Sequence, residues 1–115
     1  PMTATLVREV QDLRKQLGIS QEKAASVLRV TTTTLSRWAN GKTTEPNTLH
    51  QEWSEALKDL LKEASEVINP KAVAWWFNTP NALLSDLRPL DLLGSPAGYK
   101  KVKNLLFSMR WGLPV

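Results

Sequence analysis

Apolar residues recur at helical spacing along most of this chain, and polar residues fill the intervening faces. Leu6, Val10, Leu13 and Leu17 form one stripe, with Arg8, Glu9, Asp12 and Lys15 on the other faces, and predict a first helix that Gly18 ends. Ser20 is a plain N-cap for a short second helix whose stripe is Ala24, Ala25, Val27 and Leu28. The run Thr31 to Thr34 follows, then Leu35 and Trp38, and Asn40-Gly41 stops the element. A long helix is expected over about 47–68. Its seam is Leu49, Trp53, Leu57, Leu60, Ala64 and Val67, widened by Ala56, Leu61 and Ile68. Asn69-Pro70 breaks it, and Pro70 can open the next helix, "KAVAWWFN". From 78 to 98 proline, glycine and polar residues alternate with leucine pairs, which predicts short helices around 80–85 and 89–93. A last helix spans about Pro96 to Arg110, with Val102, Leu105, Leu106 and Met109 as its apolar face. The fold class is all-α.

Composition narrows the class. A chain of 115 residues that is 42% hydrophobic has the makings of a folded domain, or of two small modules, rather than a disordered segment. The absence of cysteine excludes disulfides and thiolate metal sites. No apolar run reaches the ~18 residues needed to cross a bilayer, so a soluble, cytoplasmic protein is expected, with no membrane partner. Pro1 ahead of Met2 reads as the remnant of a tag, which makes Met2 the expected natural start.

The net charge of +4 is unevenly spread. Residues 1–44 set Arg8, Arg14, Lys15, Lys23, Arg29, Arg37 and Lys42 against Glu9, Asp12 and Glu22, a balance of +4. Residues 45–68 come to −4, and residues 69–115 return to +4. A basic front end suits phosphate, although ordinary surface scatter would look the same.

The threonine run makes sense in a helix-turn-helix, two short helices joined by a tight turn. With Thr31 as N-cap and Leu35 and Trp38 inward, Thr31 and Thr34 fall near the buried side. Thr32, Thr33, Ser36, Arg37 and Asn40 then face outward. Threonine offers a hydroxyl to base edges and a methyl to thymine, and Arg37 has the fork for guanine or for phosphate. Hydroxyls this short are expected to act partly through water. Trp38 is expected in the core.

The stretch "LGISQEKAASVLRVTTTTLSRWANGKTTEP" resembles the Xre-type helix-turn-helix of phage repressors, a lambda-repressor-like bundle. The resemblance spans roughly residues 5–68. It implies that Gln21 clamps a phosphate, that Thr32, Thr33 and Arg37 meet base edges, and that Ser36 lies near backbone or bases. It further implies backbone contacts from Asn40 and Lys42. Two positions depart from the family: Arg29 stands where glycine is usual, and Ala39 where an acidic residue is usual. A left-handed residue at Arg29 costs on the order of 1 kcal/mol relative to glycine, which a phosphate contact by Arg29 would offset.

The back half carries no catalytic constellation. His50, alone on the long helix, is expected at a surface or cap position, and Asp86 and Asp91 have no nucleophile or apolar pocket implied beside them. The protein is therefore read as a non-enzyme with no cofactor and no metal. Trp75, Trp76, Phe77, Phe107 and Trp111 exceed what so small a unit can bury, so some of them line an interface. Taken singly, Trp75 or Trp76 is expected in the core.

"WWFNTPNALLSDLRPLDLLGSPAGYKKVKNLLFSMRWG" resembles the toxin-binding C-terminal domain of the MbcA/ParS/Xre antitoxins. The matching positions are Trp75, Thr79, Pro80, Asn81, Leu83, Arg88, Pro89, Asp91, Leu92, Leu93, Gly98 and Gly112. The chain thus divides into a DNA-binding domain, 1–68, which includes the linking helix 47–68, and a small helical toxin-binding domain, 69–115. The resemblance implies a type II antitoxin that covers the active site of a RES-domain, NAD⁺-consuming toxin and binds operator DNA to regulate its own operon. Residues implied at the toxin are Lys100, Lys101, Lys103, Arg110, Trp111, Leu113 and Val115. The tail departs from the family, reading Gly-Leu-Pro-Val rather than glycine followed by a branched and an aromatic residue. A homodimer is expected, because one helix-turn-helix rarely binds tightly alone. Two other classes fit the same residues: a stand-alone regulator whose second half makes the dimer or another protein contact, and an adaptor whose DNA surface is inactive.

Overall fold

The computed structural model describes residues 2–42 and 48–112, with side chains described from Val7 onward. Among those residues the regular elements are helical, and the only extended pairing is an isolated bridge between Asn81 and Leu87. The α-helices are α1 (Met2–Leu17), α2 (Gln21–Leu28), α3 (Thr32–Ala39), α4 (Thr48–Val67), α5 (Val73–Asn78), α6 (Pro89–Leu92) and α7 (Pro96–Trp111). Two 3-10 turns, Pro70–Ala72 and Ala82–Leu84, stand before α5 and α6. The chain forms two compact units, residues 1–54 and 55–115, with the division falling inside α4.

In the first unit, Val10, Leu13 and Leu17 of α1 pack with Ala24, Ala25, Val27 and Leu28 of α2 and Leu35 and Trp38 of α3, all buried. The alanines keep α2 thin, which lets neighbouring helices approach closely. Leu17 and Leu35 are wholly buried, and such a leucine contributes about 1.5–3 kcal/mol. Ser20 caps α2 by accepting from the Lys23 amide at 3.1 Å. Gly18 takes the left-handed conformation (φ 63°) that closes α1.

Arg29 also takes it (φ 61°, ψ 41°), so the turn between α2 and α3 keeps its left-handed form without glycine. A compensating contact lies within the unit: the Arg29 guanidinium sits 3.5 Å over the Trp53 ring. The Trp53 indole N–H donates to the Val27 carbonyl at 2.8 Å, and Ser54 Oγ donates to Glu9 Oε2 at 3.1 Å. These contacts fasten the start of α4 to α2 and α1.

In the second unit, Leu57, Leu60, Leu61 and Ala64 of α4 are buried, as are Val73 and Phe77 of α5, Leu90 of α6, and Val102, Leu105 and Leu106 of α7. Asn69 caps the 3-10 turn ahead of α5 by accepting from the Lys71 amide at 3.0 Å. Ser95 caps α7 by accepting from the Gly98 amide at 3.1 Å. Gly98 is needed for space: a Cβ there would come within 2.0 Å of the Leu92 carbonyl oxygen. That contact sets how closely α7 follows α6.

Several expectations change. Leu49 is on the α4 stripe but 74% exposed, because the stripe extends one turn beyond the core that covers it. Met109, in the last turn of α7, is exposed for the same reason. Trp75 is 66% exposed. Val73 and Phe77, four residues apart, define the inward face of α5, and at 100° per residue Trp75 lies opposite them. His50 is half-buried and packs edge-on against Trp38, with ring centroids 5.4 Å apart, rather than standing at an open surface.

The turn at Arg29 sets left-handed strain against stacking. The strain is about 1–2 kcal/mol, and a cation over a tryptophan face is worth about 0.5–2 kcal/mol. Arg29→Ala keeps the strain and loses the stack, so it should lower unfolding free energy by about 1–2 kcal/mol in urea. Arg29→Gly loses both and should stay within about 1 kcal/mol of the parent. Equal stability of Arg29→Ala and the parent would show that the stack carries no weight.

Candidate functional site

α3 starts where the Thr31 hydroxyl accepts from the Thr34 amide at 3.1 Å. The same hydroxyl donates to Thr34 Oγ1 at 3.0 Å. Thr31 is itself exposed and only Thr34 is half-buried, so the pair sits at the rim of the core, not inside it. Leu35 and Trp38 then face inward, and Thr32, Thr33 and Arg37 are exposed. Poor threonine propensity is tolerable here because the two buried side chains hold the helix.

Gln21, Thr32, Thr33, Ser36 and Arg37 line a single open concavity of about 510 Å³. Five of the seven residues expected at DNA are therefore brought together, with the N-terminus of α2 forming one wall and the outer face of α3 the other. Asn40 and Lys42 are exposed beyond the C-terminal end of α3, outside the concavity. The Asn40 side-chain amide donates to Ser36 Oγ at 3.5 Å, and the Lys42 amide donates to the Arg37 carbonyl at 2.9 Å. Sequence reasoning missed the sixth lining residue, Glu22. Its position directly after Gln21, at the second residue of α2, was the available signal.

A second candidate surface lies on α7. Gly98, Val102, Leu105 and Leu106 face inward, so at 100° per residue Lys100, Lys103, Phe107 and Trp111 share the outward face. Phe107 is 50% exposed and Trp111 61% exposed, their rings 6.2 Å apart and tilted by 55°. Lys103 Nζ lies 5.9 Å from the centre of the Tyr99 ring. Phe107 was among the aromatics of which some were expected at an interface, but not among the residues implied at the toxin, although its spacing of four from both Lys103 and Trp111 places it between them. Lys101 is exposed, but on an adjoining flank. Arg110 is engaged by Glu66 of the same unit, so its charge is already partnered. Leu113 and Val115 lie outside the described residues.

Asp91 of the second unit is committed to an ion pair. It receives Arg88 Nε at 2.7 Å and Nη2 at 2.8 Å, a bidentate pair. Hydrogen bonding to Asp91 raises the Arg88 pKa above its ordinary value. Asp86 sits exposed in a left-handed turn (φ 64°). Among the described residues no group of three or more His, Asp or Glu is placed to hold a metal ion, and no helix is long and apolar enough to cross a membrane.

Comparison with known proteins bears on both surfaces. A helix-turn-helix family model matches residues 10–49, and a model of the antitoxin Xre/MbcA/ParS C-terminal toxin-binding domain matches residues 57–112. A probable mycobacterial cidal antitoxin of Mycobacterium tuberculosis is 31% identical over 85 residues, covering 74% of this chain and 71% of that protein. The fold is also similar to a chain in the crystal structure of the M. tuberculosis MbcT–MbcA toxin–antitoxin complex. There the TM-score is 0.66 at 24% identity, over 96% of this chain and 97% of the other.

Proposed function

The chain belongs to the antitoxins that join a helix-turn-helix to an Xre/MbcA/ParS C-terminal toxin-binding domain, and from that membership we propose two linked activities for it. One is binding the operator of its own operon through the α2–α3 concavity. The other is neutralising a RES-domain, NAD⁺-consuming toxin by covering its active site with the outward face of α7 and the tail beyond it. The observation that carries the first activity is the convergence of Gln21, Thr32, Thr33, Ser36 and Arg37 on one concavity. Its walls offer hydroxyls, an amide and a guanidinium, the groups that read base edges and fix phosphates. Asn40 and Lys42 extend the contact along the DNA backbone.

Support for the second activity comes from Phe107 and Trp111, large apolar side chains exposed beside Lys100 and Lys103. Exposed tryptophan and phenylalanine next to cations form the kind of anchor that dominates protein interfaces. Lys101, Arg110, Leu113 and Val115 complete the proposed contact. The protein would act in the cytoplasm as a homodimer, since two half-sites are what give a helix-turn-helix useful affinity.

Each activity has its own measurement. Arg37→Ala should cost about 1–3 kcal/mol of preference at one operator position if it reads a base. Equal weakening on unrelated duplexes would leave it a phosphate contact, and no binding to upstream DNA by the parent chain would remove the operator role.

For the partner surface, Phe107→Ala with Trp111→Ala should weaken toxin binding by at least about 2 kcal/mol. The unfolding midpoint should barely move. Cells co-expressing a cognate RES toxin with this variant should lose protection and show falling NAD⁺. Full protection by the variant would exclude the outward face of α7 as the toxin-binding surface.

A further inference from the structure

The concavity holds a residue that a generic phosphate-binding surface would not contain. Glu22 is exposed in the first turn of α2 and lines the same space as Thr32, Thr33, Ser36 and Arg37. Among the described residues it makes no ion pair. Of the six lining residues one is a cation and one an anion, so the lining as a whole has no net charge.

Affinity for arbitrary nucleic acid comes chiefly from cations that displace counterions along the backbone. An unpaired carboxylate in the reading surface works against that term. Phosphates approaching within about 10 Å, the screening length at moderate salt, are repelled whatever the base sequence. The repulsion is offset only where the duplex presents a hydrogen-bond donor to the carboxylate. In the major groove the donors are the amino groups of cytosine N4 and adenine N6, and a carboxylate is the natural acceptor for the first.

Resting on the reading of this concavity as the operator-binding surface, we propose that Glu22 sets the ratio of operator to non-operator affinity. It accepts from a base amino group on the operator and repels phosphate on other sequences. This is specificity gained by penalising wrong partners as well as by rewarding the right one. Glu22 also suits the positive end of the α2 dipole. That helix-stabilising role alone would alter melting temperature and leave the affinity ratio unchanged.

The test uses the full chain and two labelled duplexes, followed by anisotropy over a range of salt concentrations. One duplex is the segment upstream of the protein's own reading frame that the parent chain protects from cleavage, and the other is a scramble of it. Glu22→Gln should bind the scrambled duplex ~5- to 10-fold more tightly and with a salt slope steeper by about one. Binding to the protected duplex should stay level or fall, so the ratio drops by about tenfold. Glu22→Ala should show the same drop and lose discrimination at one C·G or A·T position. Equal tightening on both duplexes, or no change on either, would overturn the inference while leaving operator binding intact. A parent chain with no preference between the duplexes would overturn operator binding itself, and this inference with it.

Discussion

The concavity between α2 and α3 depends on one buried tryptophan. Trp53 projects from α4, donates its indole N–H to the Val27 carbonyl near the C-terminal end of α2, and carries the Arg29 guanidinium on its ring. Arg29 is the residue that turns the chain left-handed between α2 and α3. One side chain therefore satisfies a helix-terminal carbonyl, offsets the strain of the turn, and fixes the segment that aims α3. Thr32, Thr33, Ser36 and Arg37 meet Gln21 and Glu22 in one concavity only because that turn holds.

The same economy appears in the second unit. α7 is fixed against α6 by the lack of a side chain at Gly98 and by the buried Val102, Leu105 and Leu106. With its inner face committed, the register of the helix sends Lys100, Lys103, Phe107 and Trp111 outward together. Exposing two aromatic rings has a solvation cost that a free-standing fold would not keep without a use for them. Under the proposed function that use is the contact with a toxin. Arg110 illustrates the other outcome for a surface charge, since Glu66 of its own unit holds it.

Much of this was legible in order of residues alone. The stripes of α1, α2, α4 and α7, the caps at Ser20 and Thr31, the stops at Gly18 and Gly41, and the inward placement of Leu35 and Trp38 all follow from local periodicity and terminal chemistry. The outward set on α3 followed from the same register. Periodicity was weakest at helix ends and in short helices. Leu49 and Met109 continue their stripes past the core, and the brevity of α5 left Trp75 without enough pattern to place it outside.

What the sequence determined by itself was therefore the helices and their faces, because side-chain direction repeats every 3.6 residues and caps act within four. Tertiary structure decided the rest, because those outcomes depend on residues far apart in the chain. Arg29 meets Trp53. His50 meets Trp38, and Arg110 meets Glu66. Glu22 joins the lining with Thr32, Thr33, Ser36 and Arg37 because the start of α2 and the face of α3 are folded to opposite walls of one concavity. No local pattern contains the distance between two helices, and that distance is what turned a threonine run into one wall of a concavity.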